Sequence, residues 1–215
     1  IPVVEDAAEA FASRYKNRLS GTMGTIGCFS FQATKTITTG EGGMVITRNK
    51  ELYNKMCLYR NHGMLQKRYW HEVVGHNFRL TNLQAALGCA QLEKLDQIVR
   101  ERQRVHEQYK ANLSQAAGLT TQYFAPEVEP VLWAVAVKLD RKAYPQGRDR
   151  VMEQLKNENI ETRPGFYSAS LMDIYSCPPL PICEEISRQV ISLPTYPTLQ
   201  DGQIEFICAK LKNLR

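Results

Sequence analysis

The sequence predicts an α/β domain followed by a smaller α+β one, and three observations carry that prediction. Short apolar runs alternate with stretches of helical spacing through the first half, as in strands and helices stacked in layers. Two helical stretches then follow one another closely, one opening at Thr81 and one running from Asp96 to about Ala116. Beyond Gly118 the texture changes to single strands, short helices and a loop rich in proline. The division is expected at 117–118, giving domains 1–117 and 118–215.

The elements follow in order. Ile1-Pro2-Val3-Val4 reads as a buried parallel strand whose C-terminal end delivers Glu5-Asp6. Ala7 to Ala12 is composed to start a helix, and Arg18 to Gly27 is loop-like. Ile26–Phe31 and Met44–Thr47 read as strands around a Thr/Gly loop, and Lys50–Arg60 as a helix. Thr81-Asn82-Leu83-Gln84 has the form of a capping box, with Leu83, Ala86, Leu87 and Ala90 at helical spacing behind it. In the next helix Ile98, Val99, Val105, Tyr109 and Leu113 form the apolar side. Val131–Leu139 is a strand, Arg148–Asn157 a helix and Ile160–Arg163 a short strand. Residues 164–181, with Pro164, Pro178, Pro179 and Pro181, form a long loop. Helices are expected near Glu184–Val190 and Leu199–Lys212.

Composition narrows the function. At 43% hydrophobic and 23% charged residues the balance is that of a soluble globular protein. No apolar run approaches the roughly 18–20 residues of a membrane span, and no secretory signal opens the chain, so a cytoplasmic protein is expected. The net charge of +5 comes from scattered Lys and Arg, which argues against a nucleic-acid tract. Six Cys lie outside CxxC and zinc spacings, so reduced, mostly buried thiols and no metal site are expected. His71-Glu72-Val73-Val74-Gly75-His76 misses the HExxH zinc motif by one position, and Gly40-Glu41-Gly42-Gly43 lacks the GK[ST] of a P-loop.

The segment that carries chemistry is Phe29-Ser30-Phe31-Gln32-Ala33-Thr34-Lys35-Thr36-Ile37-Thr38-Thr39-Gly40-Glu41-Gly42-Gly43. Lys35 is a lone amine after a strand, among small uncharged residues. A lysine nucleophile must spend time as the neutral amine, which a desolvated setting favours. This run resembles the DegT-type sugar aminotransferases, the StrS family. The resemblance continues through Val4-Glu5-Asp6-Ala7-Ala8-Glu9-Ala10, Arg60-Asn61-His62-Gly63-Met64, Arg68-Tyr69-Trp70-His71, the run from Gly75 to Ala86, Ile160-Glu161-Thr162-Arg163-Pro164 and Leu193-Pro194-Thr195-Tyr196-Pro197.

The resemblance implies the type I, aspartate-aminotransferase-like fold of pyridoxal-phosphate (PLP) enzymes, here with an N-terminally incomplete large domain and a small α+β domain. It implies that Lys35 is the Schiff-base lysine and shuttles the proton. Asp6 would face the pyridine nitrogen; read alone, it is a turn or helix cap. Glu9 stands where many relatives carry Gln beside the ring. Ser30 resembles a phosphate-binding hydroxyl, and Asn77 a residue that reaches the phosphate of a neighbouring subunit, which implies a homodimer with shared sites. Arg79 would brace that interface or meet an anion, and Arg163 would lie near substrate. The implied substrates are glutamate as amino donor and a nucleotide-linked keto sugar. The forms around Lys35 and Arg68 look most like the perosamine-forming branch, which aminates GDP-4-keto-6-deoxymannose. Another keto sugar, an inosose, and a catalytically inactive remnant or binding module are the alternatives. Relatives carry a long segment before the Glu5-Asp6 strand that contributes to the cofactor pocket. Many also have a Pro and a His around Ser168–Ser170 that this sequence lacks.

Overall fold

The computed structural model describes residues 1–215 and divides into two compact units. The first comprises Ile1–Val99 and Ala125–Trp133, the second Arg100–Phe124 and Ala134–Arg215. The division expected at 117–118 falls inside the second unit. The chain changes unit within its longest helix, and a later excursion returns to the first.

In the first unit, β1 (Val4–Asp6) lies parallel to β4 (Ile26–Ser30), with Asp6 opposite Cys28. Between them a small hairpin, β2 (Arg14–Tyr15) and β3 (Arg18–Leu19), turns at Lys16 and Asn17 with φ of 48° and 61°. Two consecutive left-handed residues match the twist of a two-residue hairpin. The sequence reading took part of this hairpin for loop, because strands of two residues carry no periodicity. β5 (Gly43–Thr47) runs antiparallel to β4, pairing Gly43 with Ser30, and gives the sheet order β1-β4-β5. The helix α1 (Lys50–Arg60) starts at Asn49, whose side chain accepts the N–H groups of Glu51 and Leu52.

Two expectations fail here. Residues 7–12 form turns, not a helix. Asp6 Oδ1 accepts the N–H of Ala8, Ala10 N–H closes on Ala7 O, Ser13 N–H closes on Ala10 O, and Ala12 takes φ 68°. Phe11 sets its ring edge-on to Phe29 and Phe31, with centroids 5.6 and 6.1 Å away, so ring packing overrides alanine's helix propensity. β1 is parallel as expected but not buried. It is the edge of a three-stranded sheet, and Val4 is 62% exposed.

The helix α2 (Asn82–Glu93) has the predicted capping box: Thr81 Oγ1 accepts Gln84 N–H, and Gln84 Oε1 accepts Thr81 N–H. No residue of α1 or α2 is fully buried, and Leu83 is 85% exposed. The helix α3 (Leu95–Leu113) buries Arg102, Val105, Tyr109 and Leu113 at helical spacing, so an Arg fills one position of the apolar stripe.

The second unit has the richer core. Its sheet combines β6 (Leu119–Thr121), β8 (Val135–Leu139), β9 (Arg163–Pro164) and β10 (Val190–Leu193) in the antiparallel order β6-β8-β10-β9. The short β7 (Val128–Glu129) pairs instead with β2 in the first unit. Val135, Val137 and Leu139 alternate inward from β8. They meet a core of Val151 and Leu155 from α4 (Gly147–Asn157) and Ile204, Ile207, Cys208 and Leu211 from α6 (Asp201–Lys212). The buried Tyr109 hydroxyl donates to Pro194 O at 2.8 Å.

Boundaries moved for local reasons. The strand expected from Val131 starts at Val135, because residues up to Trp133 belong to the other unit. The strand expected over Ile160–Arg163 reduces to Arg163–Pro164. The helix α5 (Pro181–Ser187) stops before Val190, whose β-branched run enters the sheet as β10. Of the six thiols only Cys208 is buried, so the expectation of mostly buried cysteines is wrong. No helix is long and apolar enough to cross a membrane.

Candidate active site

Parallel pairing brings the ends of β1 and β4 to the same sheet edge. Asp6 closes β1 and Ser30 closes β4, two residues beyond Asp6's partner Cys28, a step of about 7 Å along the strand. The chain leaves β4 into the loop that carries Lys35 and comes back as β5 at the same edge, opposite Ser30. The loop is held from several sides. Phe31 N–H donates to Gly42 O, Thr39 N–H donates to Phe31 O, and Ile37 is buried beneath. From α2, Gln84 Nε2 donates to Glu41 O and Gln91 Oε1 accepts Thr38 N–H. Gly42 needs to be glycine: its φ is 137°, and a Cβ there would lie 2.5 Å from a Leu80 methyl.

The Lys35 side chain is 14% exposed. Its Nζ lies 3.0 Å from Glu9 Oε1 and 4.2 Å from the centre of the Trp133 ring. Glu9 is 47% exposed, so water screens the pair and its net worth is about 0–1 kcal/mol. The contact nonetheless fixes where the amine points. Asp6 is exposed, and one of its carboxylate oxygens accepts Ala8 N–H at 3.1 Å. This is the turn-capping role that the sequence allowed, and it leaves the other oxygen for further contacts. Ser30 Oγ accepts Gln32 N–H at 3.3 Å.

The other acid of the pair, Glu5, is structural. Its carboxylate accepts N–H groups from Gly21 at 2.8 Å, Met23 at 2.5 Å and Gly24. Desolvation pushes its pKa up, but those three donors and the Arg18 charge outweigh it, so the carboxyl stays below its ordinary value. Glu5 thereby ties the Gly21–Gly24 loop to β1 and holds the strand that presents Asp6.

Asn77 and Arg79 form a second group. Asn77 bridges to Asn61 through the backbone, and its Oδ1 accepts from Arg79 Nε at 3.1 Å. Arg79 also meets His62 Nε2 at 3.3 Å, for which the imidazole must carry its proton on Nδ1. Both Asn77 and Arg79 are exposed. Arg163 lies in the second unit, exposed in β9 opposite Ser192. The structure thus gathers Lys35 and Glu9 in direct contact and sets Asp6 and Ser30 at one sheet edge. Asn77 and Arg79 pair with each other.

Sequence reasoning missed Trp133, Thr34 and Gln32. Trp133 sits 99 residues from Thr34 in the chain, yet its indole N–H donates to Thr34 Oγ1 at 3.2 Å. Its only signal was a tryptophan inside a run read as strand.

The donor set fits a phosphorylated pyridine aldehyde. An amine, a carboxylate and a hydroxyl leave one sheet edge, and the amine is withdrawn from bulk water.

Comparison with known proteins agrees. Residues 1–212 match the DegT/DnrJ/EryC1/StrS aminotransferase family. The GDP-perosamine synthase of Escherichia coli O157:H7 is 39% identical over 97% of this chain and 57% of its own length. That of Vibrio cholerae is 37% identical over 98% of this chain and 58% of its own length. Among solved structures, Helicobacter pylori PseC, an aminotransferase involved in the biosynthesis of pseudoaminic acid, superposes with a TM-score of 0.93 at 27% identity. That alignment covers 100% of this chain and 59% of PseC. S. venezuelae DesV gives a TM-score of 0.89 at 31% identity, over 99% of this chain and 57% of DesV. The chain therefore spans somewhat over half the length of these relatives, and its fold is that of the type I PLP-dependent transferases. On the family match and the two perosamine synthases together, the chain belongs to the DegT/DnrJ/EryC1/StrS aminotransferase family.

Proposed function

We propose that this chain carries the lysine-bearing part of a PLP-dependent aminotransferase that moves an amino group from glutamate to a keto carbon of a nucleotide-linked deoxysugar. The observation that carries the reading is Lys35: a shielded amine in the loop that follows β4, paired with Glu9, inside the family match. When bound, pyridoxal phosphate supplies an aldehyde carbon that exchanges amino groups and a ring that accepts electrons.

Every other contribution belongs to residues of this chain. Lys35 would hold the cofactor covalently, and its amine would serve as the acid and base that takes up and returns a proton. The Asp6 carboxylate would face the ring nitrogen and favour its protonated form. Ser30 binds phosphate oxygens by its hydroxyl. Asn77 does so from a second copy of the chain in a homodimer with shared sites, with Arg79 holding its amide oxygen. Arg163 offers a planar cation to the anionic part of a substrate. The unit of Ile1–Val99 and Ala125–Trp133 serves as the cofactor-bearing part, and the unit of Arg100–Phe124 and Ala134–Arg215 as the small domain. The match to two GDP-perosamine synthases supports GDP-4-keto-6-deoxymannose as the sugar.

Two observations favour a second reading. The chain spans 57% of the first relative's length, and Val4 at the sheet edge is exposed, so a catalytically inactive remnant or binding module is the alternative. The test pairs the chain with an extended version that carries, ahead of Ile1, the segment by which the Escherichia coli GDP-perosamine synthase exceeds the matched region. Both receive PLP, glutamate and GDP-4-keto-6-deoxymannose, and the amino sugar is measured by mass spectrometry. The reading expects product in the extended form and none with Lys35→Ala. Equal product with Lys35→Ala would end it.

A further inference from the structure

Trp133 ends the Ala125–Trp133 excursion into the first unit. Its ring face lies 4.2 Å from Lys35 Nζ, while Glu9 Oε1 contacts the same nitrogen at 3.0 Å. The indole is itself tethered. Its N–H donates to Thr34 Oγ1 at 3.2 Å. The Thr34 hydroxyl donates onward to Gln32 Oε1 at 2.7 Å, and that oxygen also accepts Thr34 N–H at 2.9 Å. The residues that set the ring plane therefore lie on Lys35's own loop, so ring and amine keep a fixed relation. An ammonium over an indole face is attracted by the ring quadrupole, and tryptophan is the strongest of the aromatic partners. The long lysine stem would otherwise visit many rotamers.

We propose that Trp133 is a positioning residue for Lys35: its ring face and the Glu9 carboxylate hold the amine in one place, and the Thr34–Gln32 hydrogen bonds hold the ring. The consequence for catalysis rests on the reading of Lys35 as the reacting amine; the juxtaposition does not. With the ring gone, the amine spends less time aimed at a bound carbonyl, and capture slows.

The test has one arm without cofactor and one with it. In the first, NMR of the chain with carbon-13-labelled lysine follows the Lys35 ε-methylene, assigned by its disappearance in Lys35→Arg. The ring current of an indole met face-on moves that signal upfield of the other lysines. Trp133→Leu should return it to their position, Trp133→Phe should keep it upfield, and Thr34→Val should move it partway. In the second arm, capture of pyridoxal phosphate is trapped by borohydride and quantified on the Lys35 peptide. Trp133→Leu should slow capture about two- to thirtyfold, the factor that the regained rotamer freedom of an unheld lysine stem represents. Trp133→Phe should restore most of the rate. If Trp133→Leu does not fold, the Phe and Thr34→Val variants decide the matter through the same signal. A wild-type Lys35 signal among the bulk lysines overturns the proposal, as does a Leu variant unchanged in both arms. An upfield signal with no capture in the wild type overturns the catalytic consequence together with the reading it rests on, and leaves the contact standing.

Discussion

Replacing Glu5 with Gln probes how the strand that presents Asp6 is held. The wild-type carboxylate accepts Gly21 N–H on one oxygen and the N–H groups of Met23 and Gly24 on the other. Glutamine matches the size, but only one of its two ends can accept. The other end places an NH2 group against a backbone N–H. A charge-assisted hydrogen bond to a part-buried carboxylate contributes about 1.5–3 kcal/mol. With solvent partly screening the site, a net loss of about 1–2 kcal/mol is expected for the variant.

The pH dependence has a definite sign. Glu5's folded pKa lies below its ordinary value despite desolvation, because the Gly24, Gly21 and Met23 donors and Arg18 favour the anion. A depressed carboxyl stabilises the fold above its unfolded pKa of about 4.3 and loses that contribution as pH falls through the folded value. Urea unfolding of wild type and Glu5→Gln, with equal slopes, should show the full gap near neutral pH. The gap should close as pH drops below about 4. A gap under about 0.5 kcal/mol at neutral pH, or one that persists unchanged in acid, would refute the anchoring role.

Two further substitutions probe the elements around the site. Leu155→Ala empties a fully buried position in the second unit and should cost about 2–5 kcal/mol in urea unfolding, with little change in Lys35 labelling at temperatures where the variant is folded. Thr81→Ala removes one half of the α2 capping box and should cost about 1 kcal/mol, seen as faster hydrogen exchange at Gln84 N–H.

The sequence made legible those features that local chemistry decides. Thr81 starts a helix where its side chain can accept a free N–H group, and it does so. The Phe29–Gly43 run showed a strand, a loop with Lys35 and a returning strand, because each has its own composition. Features that depend on distant partners stayed hidden. Phe11 pulls an alanine-rich stretch out of helix by packing on Phe29 and Phe31. Trp133 reaches Thr34 and Lys35 across the chain. Glu5 and Asp6 are adjacent acids with opposite fates, one taken by three backbone donors and one left exposed at the strand end, and nothing in their order tells them apart.

The central claim is that Lys35 is the amine that takes the cofactor. The most direct measurement is borohydride reduction of the chain after incubation with pyridoxal phosphate, followed by peptide mapping. A reduced pyridoxyl group is expected on the Lys35 peptide, with its loss in Lys35→Ala and labelling elsewhere unchanged. Label spread evenly over exposed lysines, with Lys35 unmodified in both the chain and its extended form, would contradict it.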